Sequence, residues 1–142
     1  MEARPATQHP TGPSGTDPLH PPPCPDGWVT GPPDFVGVGA ARCGTTWWFR
    51  QITSHPEVFF DRNLHTKEIH FFNGMRDFQR LPDHYADLYA QHFPRPPGAG
   101  RVGEWTPRYM LDSWVMRQLR QVAPAARRIC HDLQDHSRSC SK

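Results

Sequence analysis

The chain of 142 residues is short of apolar side chains, with a hydrophobic fraction of 36%. Its longest uncharged apolar run spans only residues 35–41, far too few to cross a bilayer. No positive region followed by an apolar stretch trails Met1, so no secretory signal is visible. The four cysteines (Cys24, Cys43, Cys130 and Cys140) show no CxxC spacing. That is poor material for a disulfide framework or a zinc site, and no metal is expected. Lys/Arg-rich runs are also missing, and the net charge is only +2. A cytoplasmic, reducing compartment is the expectation, with no membrane span and no nucleic-acid partner.

Proline is abundant: ten of the 17 prolines fall before Asp34. Residues 1–33 hold few bulky apolar side chains and read as a disordered Pro-rich leader. From Asp34 onward the composition is that of one globular domain. Residues 95–142 carry nine Lys/Arg against four Asp/Glu, which favours a small anion as partner.

Residues 35–39 form a short β-branched and aromatic pattern closed by glycine, predicting a buried strand. A small-residue loop follows, and Thr45 is placed to cap a helix running to about Ser54, where His55-Pro56 stops it. Residues 58–60 predict a second strand and residues 69–72 an extended piece. Asp83 caps a helix with Tyr85, Leu88, Tyr89 and His92 on one face. Residues 101–105 read as a strand edge. Asp112 caps a third helix with Val115, Met116, Leu119 and Val122 inward, and residues 127–130 predict the next strand. Alternating strands and helices argue for an α/β fold with a parallel sheet.

The informative segment is Gly39-Ala40-Ala41-Arg42-Cys43-Gly44-Thr45-Thr46. Two glycines separated by four residues, between a strand and a helix, suit a loop that curls its amides around a phosphate. A nucleoside triphosphatase has lysine where Thr45 stands, and no candidate metal-binding Asp follows a clear second strand. Without that lysine and magnesium, β/γ-phosphate chemistry loses its main charge stabilisation. A 5′ phosphate anhydride fits better.

This segment, followed by Ser54-His55-Pro56, resembles the 5′-phosphosulfate-binding segment of sulfotransferases, which use 3′-phosphoadenosine 5′-phosphosulfate (PAPS). Lys67-Glu68-Ile69-His70-Phe71-Phe72 is similar to the Lys-Glu-x-His-Phe-Phe element of the heparan-sulfate type and its bacterial relatives. Gly103-Glu104-Trp105-Thr106-Pro107-Arg108-Tyr109 is similar to their Glu-Lys-Thr-Pro-x-Tyr element. The resemblance implies a P-loop-like three-layer fold over residues 34–142, the half of a sulfotransferase domain that holds the 5′-phosphosulfate.

It also implies roles. Residues 39–46 would cradle the donor's phosphate. Arg42 stands where many members have lysine, keeping the charge for the leaving group but not its proton. Glu68 would be the general base, with His70 in support. A base in that role needs apolar neighbours to raise its proton affinity, and Ile69, Phe71 and Phe72 would supply them. Trp105 stands where relatives on polyanionic sugars have lysine. If it meets the acceptor, it points away from a heavily sulfated glycan, towards a small hydroxylated or aromatic molecule, another glycan or a lipid. Core packing is the equal alternative for Trp105, and core positions are expected for Trp47 and Trp48.

After Arg128 the family continues with an apolar strand, then Arg-Asp-Pro and, a few residues on, serine, and that arginine and serine hold the 3′ phosphate. Here Leu133-Gln134-Asp135-His136 only echoes that pattern, and the change reads as a truncated chain with an altered reading frame near its end. Two rivals remain: a non-catalytic remnant or interaction module, and a kinase-like protein with a degenerate loop.

Overall fold

The computed structural model describes residues 17–130. The pattern break after residue 130 and the start of the leader, residues 1–16, lie outside them.

The centre is β1 (Phe35–Gly39), buried along its whole length. Pro32 and Pro33 precede it and lack the amide that would extend the ladder. It pairs in parallel with β2 (Gly103–Trp105) on one side and β3 (Arg127–Cys130) on the other. The sheet order is therefore β2-β1-β3, and the fold is mixed α/β as expected.

Side chains alternate across β1. Val36 and Val38 enter the larger core with Tyr89, Leu119 and Val122. Phe35 joins a second cluster with Phe49 and Trp105. Gly37 sits directly beside Trp105 in the register. A Cβ at residue 37 would meet the indole at 2.1 Å, so glycine is what makes room for Trp105.

Helix α1 (Thr45–Thr53) starts one residue after Gly44, which holds φ 71 in the left-handed region. Thr45 is thus the first helical residue and not the cap. At the far end Thr53 and Ser54 donate their hydroxyls to the Phe49 and Arg50 carbonyls, ahead of His55-Pro56. Helix α2 (His84–Ala90) has Asp83 at its N-cap position, as expected, while the Asp83 carboxylate makes no capping hydrogen bond and pairs instead with exposed Arg80. Helix α3 (Val115–Val122) buries Val115, Leu119 and Val122 as its spacing predicts. It also buries Gln118, whose amide nitrogen donates to the Met75 and Phe78 carbonyls. Asp112 does not cap α3; Trp114 occupies that position.

The expected strand at residues 58–60 and the expected extended piece at residues 69–72 are not formed as such. Val58 makes only an isolated bridge with Arg101. Residues 69–72 enter a turn in which His70 holds φ 55. Residues 17–33 of the proposed leader rest on the body. Val29 exchanges both backbone bonds with Arg95 at 2.9 Å, and Trp28 packs edge-on against Phe59. His92 donates from Nε2 to the Pro18 carbonyl.

Candidate functional site

The loop of residues 40–44 leaves the carboxyl end of the central strand, where parallel sheets hold ligands. Its base is anchored. The Trp105 indole donates to the Gly39 carbonyl at 3.3 Å, and the Thr106 amide donates to Gly37 at 3.0 Å. Met110, from the 3₁₀ turn at Pro107–Met110, packs over Gly39.

Beyond that base the backbone curls. Arg42 holds φ 61, a conformation that costs an L-residue about 1 kcal/mol. Gly44 repeats the left-handed twist. The amides of Thr45, Thr46 and Trp47 open the helix and have no partner one turn back. No side chain caps them, and the first backbone bond of the turn is Trp48 to the Gly44 carbonyl at 3.1 Å. These donors and the positive helix end suit an anion. Arg42 and Thr46 are exposed, while Thr45 is buried.

The second part of the site is residues 67–70, fastened to β2 and the 3₁₀ turn. The Trp105 amide donates to the Lys67 carbonyl at 2.7 Å. The Ile69 amide donates to Glu104, the His70 amide to Thr106 and the Phe71 amide to the Tyr109 hydroxyl. These bonds turn the side chains of Lys67, Glu68 and His70 toward the loop side. Lys67 Nζ reaches Thr45 Oγ1 at 3.4 Å and Glu68 Oε1 at 3.0 Å. Glu68 Oε2 lies 3.2 Å from His70 Nε2.

Two expectations change here. Ile69, Phe71 and Phe72 do not surround Glu68; they are core residues, because the turn sends them inward. Glu68 and His70 are each 40% exposed and are held by charge and hydrogen bonds. Trp105 is 1% exposed, packed between β1 and α1, and offers an acceptor no surface. Its packing alternative is the correct one. Trp47 and Trp48, expected in the core, stand exposed beside the loop, edge to face with each other.

Glu104, from the Gly103–Tyr109 motif, has no role implied by the resemblance, and it lies at the centre of the scaffold. Its carboxylate is fully buried and accepts from the Tyr89, Tyr109 and Thr106 hydroxyls at 2.7–2.8 Å, and from the Ile69 amide at 3.0 Å. Burial pushes its pKa up, and the four hydrogen bonds pull the other way. Burial and the Glu104 charge push both phenols well above their ordinary range. The alternation of β2 sets Trp105 and Glu104 on opposite faces, and because both faces of this edge strand are covered, Glu104 is buried opposite Trp105.

Among the described residues no group of three or more His, Cys, Asp or Glu is arranged for a metal ion. No described helix is long and apolar enough to cross a membrane. A cavity of about 420 Å³ lined by Asp34, Glu57, Arg95 and Arg101 opens at the other end of β1, away from the loop. No protein-family model matches the chain, and no curated protein matches it.

The structure therefore brings Thr45, Lys67, Glu68 and His70 into one hydrogen-bonded group at the head of α1. Arg42 stands in the adjoining loop. Such a group combines anion donors with a carboxylate and imidazole able to take a proton.

Proposed function

We propose that this chain is the donor-binding part of a PAPS-dependent sulfotransferase with a P-loop-like three-layer fold. The observation that carries the reading is the Lys67 ammonium joining Thr45, at the uncapped head of α1, to the Glu68–His70 pair. A site with an anion cradle at one end and a proton acceptor at the other suits transfer of an anionic group to a hydroxyl or amine. Apolar clusters on alternate residues of β1 support the layered fold.

In this reading the loop amides of residues 40–46 hold the donor's 5′ phosphate. The acceptor oxygen attacks sulfur in line while its proton passes to the Glu68 carboxylate. A new O–S bond forms, the bridging S–O bond breaks, and its electron pair leaves on adenosine 3′,5′-bisphosphate. Arg42 and Lys67 offset that charge, and a guanidinium does so without giving up a proton. Lys67 is an addition to the roles read from sequence, and its ammonium takes over part of the charge work left to Arg42. With Trp105 in the core, that position no longer restricts the acceptor, and the proposal extends to any hydroxyl or amine acceptor, whether small molecule, glycan or lipid.

Calorimetric titration with adenosine 3′,5′-bisphosphate tests the donor site. Heat of binding is expected, weakened about tenfold by Arg42→Ala, the scale of one charge-assisted hydrogen bond. No heat from either protein overturns the reading. Stronger thermal stabilisation by ATP with magnesium than by the bisphosphate favours a kinase-like protein instead.

A further inference from the structure

Residues 17–32 cross the end of the sheet opposite the loop as an extended strap, and Arg95 is their main holder. Val29 and Arg95 exchange both backbone hydrogen bonds at 2.9 Å. The Arg95 guanidinium adds two more, from Nη2 to the Gly31 carbonyl at 2.7 Å and to the Pro32 carbonyl at 2.9 Å. Glycine at residue 31 suits this approach, since a Cβ there would stand 3.1 Å from Nη2. Away from Arg95, His92 donates to the Pro18 carbonyl at 2.7 Å and Trp28 packs edge-on against Phe59.

The strap is held mostly by hydrogen bonds and little by burial. None of residues 17–32 is buried, and Leu19 and Val29 are each 48% exposed. Lifting it therefore exposes little apolar surface, and water replaces the bonds to its half-buried and exposed carbonyls. The attachment changes abruptly at Asp34. The Asp34 amide donates to the Val102 carbonyl at 2.7 Å, its carbonyl accepts from the Arg127 amide at 2.9 Å, and its carboxylate accepts from the Val102 amide at 2.9 Å. Those bonds fix residue 34 to the segments leading into β2 and β3. Between the loose and the tight parts stand Pro32 and Pro33, which have no amide hydrogen to bond.

We propose that residues 17–32 are a latch: they lift from the body as one unit, with Arg95 as the bolt, while the sheet stays folded. Opening uncovers the Phe59 ring and the Arg95 guanidinium, so this end of the sheet presents two different surfaces. A local opening of this kind costs less free energy than global unfolding and sets its own rate of amide exchange.

Amide hydrogen exchange of the full chain, followed by NMR, tests the latch without any ligand. The Val29 and Arg95 amides read the latch, and the Thr106 amide, bonded to the Gly37 carbonyl at 3.0 Å, reads the sheet. Val29 and Arg95 should show matching protection, above that of a free chain and about 100-fold below that of Thr106. Arg95→Met keeps the stem of the side chain and removes both guanidinium bonds to the strap. Protection of Val29 should then fall about tenfold while that of Thr106 holds. Trp28→Ala changes the strap itself and should likewise loosen Val29 alone. A wild-type Val29 amide that exchanges as fast as a free chain, or as slowly as Thr106, overturns the proposal. Unchanged Val29 protection in Arg95→Met overturns it too. So does an equal fall of Val29 and Thr106 in Trp28→Ala, a result that stays readable should Arg95→Met fail to fold.

Discussion

Glu104 shows how one residue supports a site it does not enter. Four donors converge on its buried carboxylate, and one of them is the Ile69 amide between Glu68 and His70. Glutamine at this position would bring two N–H groups toward hydroxyls and an amide that already donate. At least one donor would lose its acceptor inside the core. Glu104→Gln should therefore destabilise the fold by about 2–4 kcal/mol, read as a lower urea midpoint at unchanged slope. Sequence alone does not mark Glu104 as structural, because a glutamate in a short motif is most often a solvated side chain. Its four partners come from segments up to 35 positions away.

At the level of elements, β1 and β2 are fitted to each other by one glycine and one tryptophan. Gly37→Ala drives a methyl group into the Trp105 indole and should cost about 2–3 kcal/mol. The loss in the double variant with Trp105→Leu should fall short of the sum of the two single losses by about 1–2 kcal/mol, since the smaller side chain leaves space. Denaturant unfolding of the four proteins gives the coupling directly. Two histidines hold other elements together. His65 accepts from the Asp61 amide and donates to the Pro94 carbonyl, and His92 donates to Pro18. Burial lowers the pKa of both from 6.5. Below 6.5 the unfolded chain takes up protons that the folded chain refuses. Their stabilisation is therefore present above 6.5 and lost as pH falls through the lowered folded values. The urea midpoint should drop between pH 7.5 and 5.5, and His65→Gln with His92→Gln should flatten that dependence.

For the molecule as a whole, the proposed ligand bridges α1 and residues 67–70. The Lys67–Thr45 contact between α1 and residues 67–70 is long for a hydrogen bond, at 3.4 Å. An anion held by the loop amides and the Lys67 ammonium would tie both to the sheet. Adenosine 3′,5′-bisphosphate at about 100 times its Kd should add about 2.7 kcal/mol and raise Tm by roughly 10 °C. Differential scanning calorimetry checks this, and an unmoved Tm at saturating ligand counts against the cradle.

Strand β1, the turn into α1 and the inward face of α3 were legible from sequence, because each is encoded within a few neighbouring residues. A β-branched run between prolines and glycine has one comfortable conformation, and apolar residues every three or four positions bury one helix face. The likeness of residues 39–46 to a phosphate loop belongs to the same local class. What lies at the ends of long contacts did not. The Trp105 indole reaches Gly39 across 66 positions, and Asn73 reaches Asp112 across 39. Whether a tryptophan faces a ligand or a neighbouring glycine, and whether an aspartate caps a helix or orients an amide, depends on what the chain brings alongside. Only the folded sheet and the turn at His70 made those choices, because burial is a property of the assembled core and not of any short stretch of residues.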